Sequence, residues 1–380
     1  MCIMSNSMGG QSGLFDEFSP AVGDGGSSAI QTHADPAGTS PPLAQVQASP
    51  PQADHRELAT RLDAMFGRHW HFGTSSWHFP GWAGIVYAGQ WPASHLSRHG
   101  LQALASHPLL RSVSLDRAFY RCLDRSTYAA LAEQVPDAFR FVVKAPASVT
   151  DAVLRESGSG RVASLNPGFL DSAAAVVQAL EPACGGLGDK LGALVFQLSP
   201  LPRPLLRDGA APALERLEAF WSRLMPMVPP GVDIALEVRD AQLLGPPLAR
   251  QLRAYGVRYC LGLHDRMPPI TRQLDMLRAL WPGNFVCRWN LQRGLRYAHA
   301  RDLFAPFDRL QAPDLAARAE LARVITATLR AGYRACVTIN NKAEGSAPLS
   351  VLALAEAVAD TARRADALSA GGPASPSTRH

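Results

Sequence analysis

Charged side chains follow several apolar runs in this 380-residue chain, at positions where they can meet and do chemistry. Lys144 ends the run FRFVVK, and Glu237 and Arg239 close the run ALEVR. Arg288 lies in FVCRW. A lysine removed from water holds an anion or, once deprotonated, acts as a base or nucleophile, and an arginine clamps an anion with paired hydrogen bonds. We therefore predict an anion site with Lys144 and Glu237 as the candidate catalytic groups.

Lysine is rare in this sequence, which makes Lys144 informative. The chain has three lysines, Lys144, Lys190 and Lys342, and its remaining long cationic side chains are arginines. Lys144 ends an apolar run and precedes an Ala-Pro pair. The alternative is a lysine that packs its stem on the protein and extends its ammonium into solvent.

Polar and aromatic side chains at the ends of other apolar runs are predicted to join this site. An alternative for Glu237 and Arg239 is a structural pair, since charges inside a barrel must be neutralised. His264 and Asp265 are a further acid-base candidate, with a solvated pair as the alternative. No second histidine lies two or four residues after His264, so no metal site is predicted. The predicted ligand-binding residues are Trp77, Asp116, Tyr120, Gln197, Arg239, Arg288, Asn340, Asn341 and Lys342.

The elements that position these side chains alternate between strand and helix. Eight apolar runs are joined through helical stretches, which predicts a parallel sheet covered on both faces. Eight such units at this length favour one closed (β/α)8 TIM-type barrel over an open sheet. No glycine-rich nucleotide loop follows any strand, so no cofactor is predicted. The predicted strands are 71–75, 111–116, 139–144, 193–198, 233–238, 258–263, 285–289 and 335–340.

The composition of the two ends differs from that of the centre. Residues 1–55 are rich in Gly, Ser, Pro, Ala and Gln and are predicted to be a disordered extension. Residues 56–366 are predicted to be the barrel domain, with a helix at 57–66 that closes its bottom, and residues 367–380 a disordered tail. The other predicted helices are 93–106, 126–134, 167–181, 213–225, 247–255, 271–280, 315–331 and 349–365.

Two loops are predicted to matter for the site. Residues 77–89 carry aromatic rings among glycines and a proline, which is typical either of a loop that closes over a pocket or of a buried hydrophobic plug. Residues 338–348 follow the last strand, where barrels commonly bind phosphate, and Ser346 is placed to cap the final helix. The alternative for this second loop is a plain turn with an ordinary cap.

The overall charge and hydropathy narrow the possible partners. The formal net charge of +5 favours anionic partners, from small phosphorylated molecules to nucleic acid. No apolar window is long enough for a membrane span, and the N-terminus lacks the pattern of a signal peptide, so a cytoplasmic protein without membrane contact is expected. Six cysteines lie far apart with no Cys-x-x-Cys, which predicts neither a disulfide framework nor a zinc site.

Several of these motifs together resemble the YecE-like family, catalogued as domain of unknown function 72. The resemblance covers residues 70–360 and implies a TIM-type barrel, but no established activity. It rests on GTSSWHFPGW (73–82), AFYR (118–121), FRFVVKAPASVT (139–150), ALVFQLSP (193–200), ALEVRD (235–240), FVCRW (285–289) and INNKAEGSAP (339–348), in the family's order.

This chain departs from the family pattern at positions that carry proton-transfer groups there. Histidines tend to follow three of the family's motifs, where this chain has Asp151, Asp240 and Asn290. The family's Glu-x-Asn is replaced by Ser114 and Asp116. An anion-binding set of residues is therefore retained better than a catalytic one.

The sequence leaves three functions open. The first is a barrel that binds a small anionic, phosphate- or sugar-like ligand and acts on it as an enzyme. The second is a barrel that binds or processes nucleic acid, with Trp77, Trp82 and Tyr87 as stacking rings. The third is a binding protein that has lost catalysis.

Overall fold

Parallel strands form a closed barrel in the computed structural model, which describes residues 45–156, 161–207 and 209–370. The barrel strands are β1 (Trp70–Thr74), β2 (Ser112–Leu115), β3 (Arg140–Lys144), β6 (Leu191–Gln197), β7 (Ile234–Glu237), β8 (Arg258–Leu263), β9 (Phe285–Trp289) and β10 (Ala335–Ile339). Two further strands, β4 (Val153–Arg155) and β5 (Val162–Leu165), lie between β3 and β6 in the chain. Around the barrel the order is β1-β10-β9-β8-β7-β6-β3-β2, and β2 pairs with β1 to close it.

Helices surround this barrel. They are α1 (Ala53–Phe66), α2 (Ala93–His99), α3 (Leu101–Ala105), α4 (Arg117–Tyr120), α5 (Arg125–Ala132), α6 (Ala147–Thr150), α7 (Ser172–Ala175), α8 (Glu181–Leu187), α9 (Ala211–Leu224), α10 (Pro246–Tyr255), α11 (Ile270–Ala279), α12 (Tyr297–Phe304), α13 (Leu315–Arg330) and α14 (Ala347–Ala370). Along the described part of the chain, no helix has both the length and the apolar character that a membrane span needs. The expected cytoplasmic location stays a prediction.

The predicted (β/α)8 barrel is confirmed, and each predicted barrel strand overlaps an observed one with its ends within two residues. The reason is burial on both faces. Every residue of β1, β6 and β10 is buried, because one face packs on the helices and the other fills the barrel. Such strands require continuous apolar runs, which are visible in the sequence.

The hairpin of β4 and β5 was not predicted. These strands pair antiparallel, with Val153 opposite Leu165, and lie outside the barrel sheet. All four residues of β5 are exposed and Val153 is the one buried residue of β4, so the hairpin lacks the alternating apolar face that reveals a strand.

The first helix closes the bottom of the barrel, as predicted. Asp63 on α1 accepts hydrogen bonds from Trp70 Nε1 at 3.0 Å and from both terminal nitrogens of Arg111 at 2.6 and 2.8 Å. Trp70 begins β1 and Arg111 directly precedes β2, so one carboxylate ties the helix to the amino ends of two strands.

The domain boundaries extend beyond the predicted ones. Val46 is buried, Ala48 forms a β-bridge with Tyr87, and α1 begins at Ala53, all within the segment expected to be disordered. At the other end α14 continues to Ala370, past the expected limit of 366. The remaining parts of the predicted extension and tail, residues 1–44 and 371–380, lie outside the described residues.

The barrel interior changes from apolar to charged along the strands. The lower layers are filled by a cluster separate from the main core. Side chains on a strand alternate between faces, so the residue two positions further on points into the same interior. Val142 is thus followed by Lys144, Ala235 by Glu237, and Val286 by Arg288. The apolar cluster consists of Val142, Ala193, Val195, Ala235, Cys260, Val286 and Cys336.

Candidate functional site

A cavity of about 370 Å³ opens at the carboxyl ends of the barrel strands. Seven of the residues predicted for the site line it, and side chains from the β4–β5 hairpin form part of its rim. The predicted residues at the cavity are Asp116, Tyr120, Lys144, Gln197, Arg239, Arg288 and Asn340. The strand ends therefore bring these residues together.

Arg288 is the centre of a buried ion-pair cluster on the cavity floor. Its Nη1 donates to Glu237 Oε2 at 2.5 Å, and its Nη2 donates to Asp116 Oδ1 at 2.6 Å. Ser114 Oγ also donates to Asp116 Oδ1, at 2.6 Å. Both terminal nitrogens of Arg288 are thus occupied by carboxylates. Arg288 therefore fixes the positions of Glu237 and Asp116, and its two terminal nitrogens are not free to clamp an anion as the sequence suggested.

Glu237 lies beneath the cavity and is fully buried. Its Oε1 accepts from Arg239 Nη2 at 2.6 Å and from Asn290 Nδ2 at 3.4 Å, so both oxygens of the carboxylate are engaged. A Cβ at Gly262 would lie 3.2 Å from Glu237 Oε1, so the glycine makes room for this carboxylate. Glu237 therefore anchors two arginines and does not line the cavity.

The cations keep both acids ionised. Burial raises the pKa of the Glu237 carboxyl, but Arg239 and Arg288 outweigh it and hold this pKa below its usual value. Burial also raises the pKa of Asp116, and Arg288 and Lys144 again lower it below its usual value. As a carboxylate locked to two arginines, Glu237 is poorly suited to the proton transfer that the sequence suggested.

In the described part of the chain, Arg239 forms hydrogen bonds through only one of its three guanidinium nitrogens. Its Nη2 donates to Gln197 Oε1 at 2.9 Å as well as to Glu237. Its Nε and Nη1 are buried and have no hydrogen-bond partner among the described residues. Arg239 lines the cavity as a residue, and these two N–H groups lie buried beside it.

Lys144 is the second cation with spare donors. Its side chain is 5% exposed, and Nζ lies 3.5 Å from the centroid of the Phe119 ring and 6.0 Å from that of Tyr120. Within residues 45–156, 161–207 and 209–370, Nζ has neither a hydrogen-bond acceptor nor a salt-bridge partner. Burial and the charge of Arg288 lower the pKa of Lys144 to about 7. Near neutral pH the group is therefore divided between ammonium and amine.

Other polar side chains complete the cavity wall. Asn340 Nδ2 donates to Ser75 Oγ at 2.8 Å, which joins the ends of β10 and β1. His264 lines the cavity, and its Nδ1 is hydrogen-bonded to the Asp265 carboxylate. Burial and Arg239 lower the pKa of His264, so its ring is neutral near pH 7.

Three predicted site residues lie away from the cavity. Trp77 is buried, and its Nε1 donates to the Ser97 carbonyl at 3.3 Å. Asn341 Oδ1 accepts from Trp82 Nε1 at 3.2 Å and from the Ala347 N–H at 2.8 Å. Lys342 is also fully buried, with Nζ 4.2 Å from the centroid of the Tyr297 ring. Asn341 and Lys342 therefore hold the loop after β10 in place.

The loop after β10 also lacks the predicted phosphate site. Ser346 is fully buried, and its Oγ has no hydrogen-bond partner in the described part of the chain, so it does not cap α14. Asn341 takes that role at the Ala347 N–H. Glu344 fills the interior of the loop and accepts from Arg318 Nη2 at 2.6 Å. The loop is packed with its own side chains and leaves little space for an anion.

Sequence reasoning missed the contribution of the hairpin and its surroundings. Val153, Leu154 and Arg155 line the cavity, together with Asp151 just before them. Burial raises the pKa of Asp151. The departure from the family pattern at Asp151 was the one sequence signal for this region, since the exposed strands carry no clear periodicity.

The described residues contain no group of three or more His, Cys, Asp or Glu side chains arranged to hold a metal ion. The fold and the site together define a (β/α)8-barrel protein with a buried ion-pair cluster beneath a polar cavity. A family model described as protein of unknown function DUF72 matches residues 71–376, and the chain belongs to this family.

Solved structures similar to this chain include two members of the same family. A DUF72 family protein from Enterococcus faecalis is 16% identical, with a TM-score of 0.47 over 76% of this chain and 96% of its own. A DUF72 family protein from Thermotoga maritima is 17% identical, with a TM-score of 0.47 over 76% of this chain and 98% of its own. No curated protein matches the chain in sequence.

Proposed function

We propose that the cavity binds a small anionic, phosphate- or sugar-like ligand through Lys144 and Arg239. The observation that carries the proposal is that two cations line the cavity without being fully paired: Lys144 Nζ has no acceptor among the described residues, and neither do the buried Nε and Nη1 of Arg239. Buried donors without acceptors are costly, and an anion placed between them relieves that cost. Arg288 supports the proposal indirectly, because it fixes Glu237 and thereby Arg239.

Little favours the nucleic-acid alternative. It depended on Trp77, Trp82 and Tyr87 as stacking platforms, and all three rings are buried within the loop after β1. A base has no access to their faces. The cations with unused donors lie inside a cavity of about 370 Å³, which suits a small molecule better than a strand.

Sulfate is the best first probe, because its charge stays constant between pH 6 and 9. We expect sulfate to raise the melting temperature of the wild-type protein in a saturable way. Arg239→Met and Lys144→Met should each weaken binding by on the order of 10–100-fold, since each removes a charge-assisted donor. Above pH 7 the wild-type affinity should fall, because Lys144 loses its proton.

Arg334→Met is the matched control. Arg334 Nη2 donates to Asp233 Oδ2 at 2.7 Å at the opposite end of the barrel, so this variant loses a half-buried, paired arginine without touching the cavity. It should melt earlier yet keep the full sulfate-dependent shift. An equal sulfate shift in Arg239→Met, Lys144→Met and wild type, or no shift in the wild type, would refute the proposal.

A further inference from the structure

The surroundings of Lys144 differ from those of a lysine that serves only as a positive charge. A lysine used in that way pairs with a carboxylate or projects into water. Lys144 does neither, since its side chain is buried, Nζ rests on the Phe119 ring, and the residue lines the cavity. The carboxylate with the largest electrostatic effect on Lys144 is Asp116, and its Oδ1 is already bound by Arg288.

Two guanidinium groups add to this effect. Arg288 and Arg239 both repel a proton on Lys144, and burial removes the water that would stabilise an ammonium. The cation–π contact with Phe119 compensates for part of this cost, but it lacks the strength of a buried ion pair. The result is an amine with a free electron pair near neutral pH in a cavity large enough for a small molecule.

We propose that Lys144 is a nucleophilic amine that forms an imine with an aldehyde or ketone carrying an anionic group. The anionic part of this inference rests on the proposed function, in which Arg239 holds the anion. The covalent part stands on the geometry of Lys144 itself.

The reaction balances without an oxidant or a cofactor. The Lys144 nitrogen uses its electron pair to bond the carbonyl carbon, and the electrons of the C=O bond move to the oxygen, which takes up a proton. The resulting carbinolamine loses its hydroxyl group as water while the nitrogen forms a double bond to carbon. The net change is one amine and one carbonyl giving one imine and one water.

His264 is the candidate for moving the proton in this sequence. Its ring lines the same cavity, and Asp265 holds Nδ1, which leaves Nε2 as the basic nitrogen of a neutral ring. A neutral histidine near pH 7 accepts the proton released on attack and returns it to the departing hydroxyl. Its role is secondary to that of Lys144, and the test below does not depend on it.

The other two lysines provide internal controls. Lys190 Nζ donates to the carbonyls of Ala132 at 2.9 Å and Val135 at 2.8 Å, outside the cavity. Lys342 is fully buried against Tyr297. Because the chain has three lysines, a single peptide map reports the reactivity of every lysine amine at once.

The experiment treats the full-length protein with glyceraldehyde 3-phosphate and sodium cyanoborohydride at pH 7, followed by peptide mass spectrometry. Reduction converts an imine into a stable secondary amine at the modified lysine. We expect Lys144 to react faster than Lys190 and Lys342 by on the order of tenfold or more, because an ordinary lysine is almost entirely protonated at this pH. The rate at Lys144 should rise with pH through about 7 and then level off. Lys144→Arg keeps the charge and should lose the adduct.

Unphosphorylated glyceraldehyde tests the anionic group separately. It should modify Lys144 on the order of tenfold more slowly than the phosphate ester, and Arg239→Met should abolish this preference. Equal labelling of Lys144 and Lys190 by the phosphate ester would overturn the proposal, and a sulfate-dependent melting shift in the same protein would show that the anion site itself stands. Fast labelling of Lys144 by both aldehydes at one rate, with no sulfate shift, would overturn the anionic ligand class and the proposed function while the nucleophile stands.

Discussion

The two ends of the barrel use the same charged residue types in different ways. At the amino ends of the strands, Asp233 accepts from Arg334 Nη2 and from Asn284 Nδ2, each at 2.7 Å. At the carboxyl ends, Lys144 and two nitrogens of Arg239 have no acceptor among the described residues. The Asp233 carboxylate at the bottom is therefore paired, although Arg140 Nε and both ring nitrogens of His71 have no hydrogen-bond partner in the described part of the chain. What distinguishes the top is that its incompletely paired cations line a cavity.

Backbone carbonyls contribute to this difference. Arg140 Nη1 at the bottom donates to the carbonyls of Asp137 at 2.6 Å and Phe139 at 2.9 Å, just before β3 begins. The corresponding space at the top is the cavity. The comparison indicates that charge at the bottom ties the strand starts together, while the charged cluster at the top lies beneath a cavity.

The largest loss of stability is expected from replacing Glu237, the carboxylate that pairs with both Arg239 and Arg288. Glu237→Gln keeps the volume but leaves Arg239 without a carboxylate partner and Arg288 with Asp116 alone, so one buried positive charge is uncompensated. We expect the free energy of unfolding to fall by about 3–5 kcal/mol, measured by urea denaturation. Asp275→Asn, which breaks an exposed pair with Arg278, should change it by less than about 0.5 kcal/mol. A comparable small loss in both variants would show that the top cluster is not the buried network described above.

The second effect is the pH dependence of stability that Lys144 contributes. The folded pKa of Lys144 is lowered to about 7, whereas an unfolded lysine titrates near its ordinary value of about 10.4. Between these values the unfolded state holds one more proton, so stability rises with pH, by at most about 1.4 kcal/mol per pH unit. Below pH 7 both states hold the proton, and the cost of burying the ammonium is present in full.

Comparison with Lys144→Met isolates this contribution. The variant should gain most over the wild type at pH 6, and its advantage should shrink steadily towards pH 10. Urea unfolding at pH 6, 8 and 9.5 provides the measurement. If the unfolding free energies of the two proteins change in parallel with pH, Lys144 titrates normally and its surroundings are more hydrated than the geometry indicates.

The smallest loss of stability is expected from a substitution at the amino ends of the barrel strands. Asp63→Asn weakens the pair with Arg111 but keeps an acceptor for Trp70 Nε1. Because the Asp63 side chain is partly exposed, the loss of unfolding free energy should be about 1 kcal/mol. The sulfate-dependent melting shift should be unchanged. A smaller sulfate-dependent shift in Asp63→Asn than in the wild type would show that the two ends of the barrel do not act independently.

The barrel could be predicted from the sequence because its strands are buried on both faces, but the contacts within the site could not. Arg288 meets carboxylates that are 51 and 172 residues away in the chain, and nothing in the run FVCRW indicates them. The environments of the adjacent residues Asn340 and Asn341 could not be told apart from the sequence either. Successive side chains point to opposite faces, so Asn340 reaches the cavity while Asn341 turns under the loop after β1.

Aromatic residues were the other source of error. A loop rich in aromatic rings, glycine and proline fits an open platform and a buried plug equally well, and only tertiary packing separates the two. Trp82 is fully buried and donates to Asn341, which makes the plug the correct interpretation here. The hairpin of β4 and β5 was missed for a different reason, because a largely exposed pair of strands leaves almost no pattern in the sequence.

The contact between Trp82 and Asn341 has a consequence for how the protein is made. It joins residues 259 positions apart, across the seam where β1 pairs with β10. A nascent chain that ends before residue 335 therefore exposes two unpaired sheet edges and has an open cavity. Closing the ring waits for the last strand to leave the ribosome, so the two edges of the sheet stay unpaired until nearly the whole chain has been made.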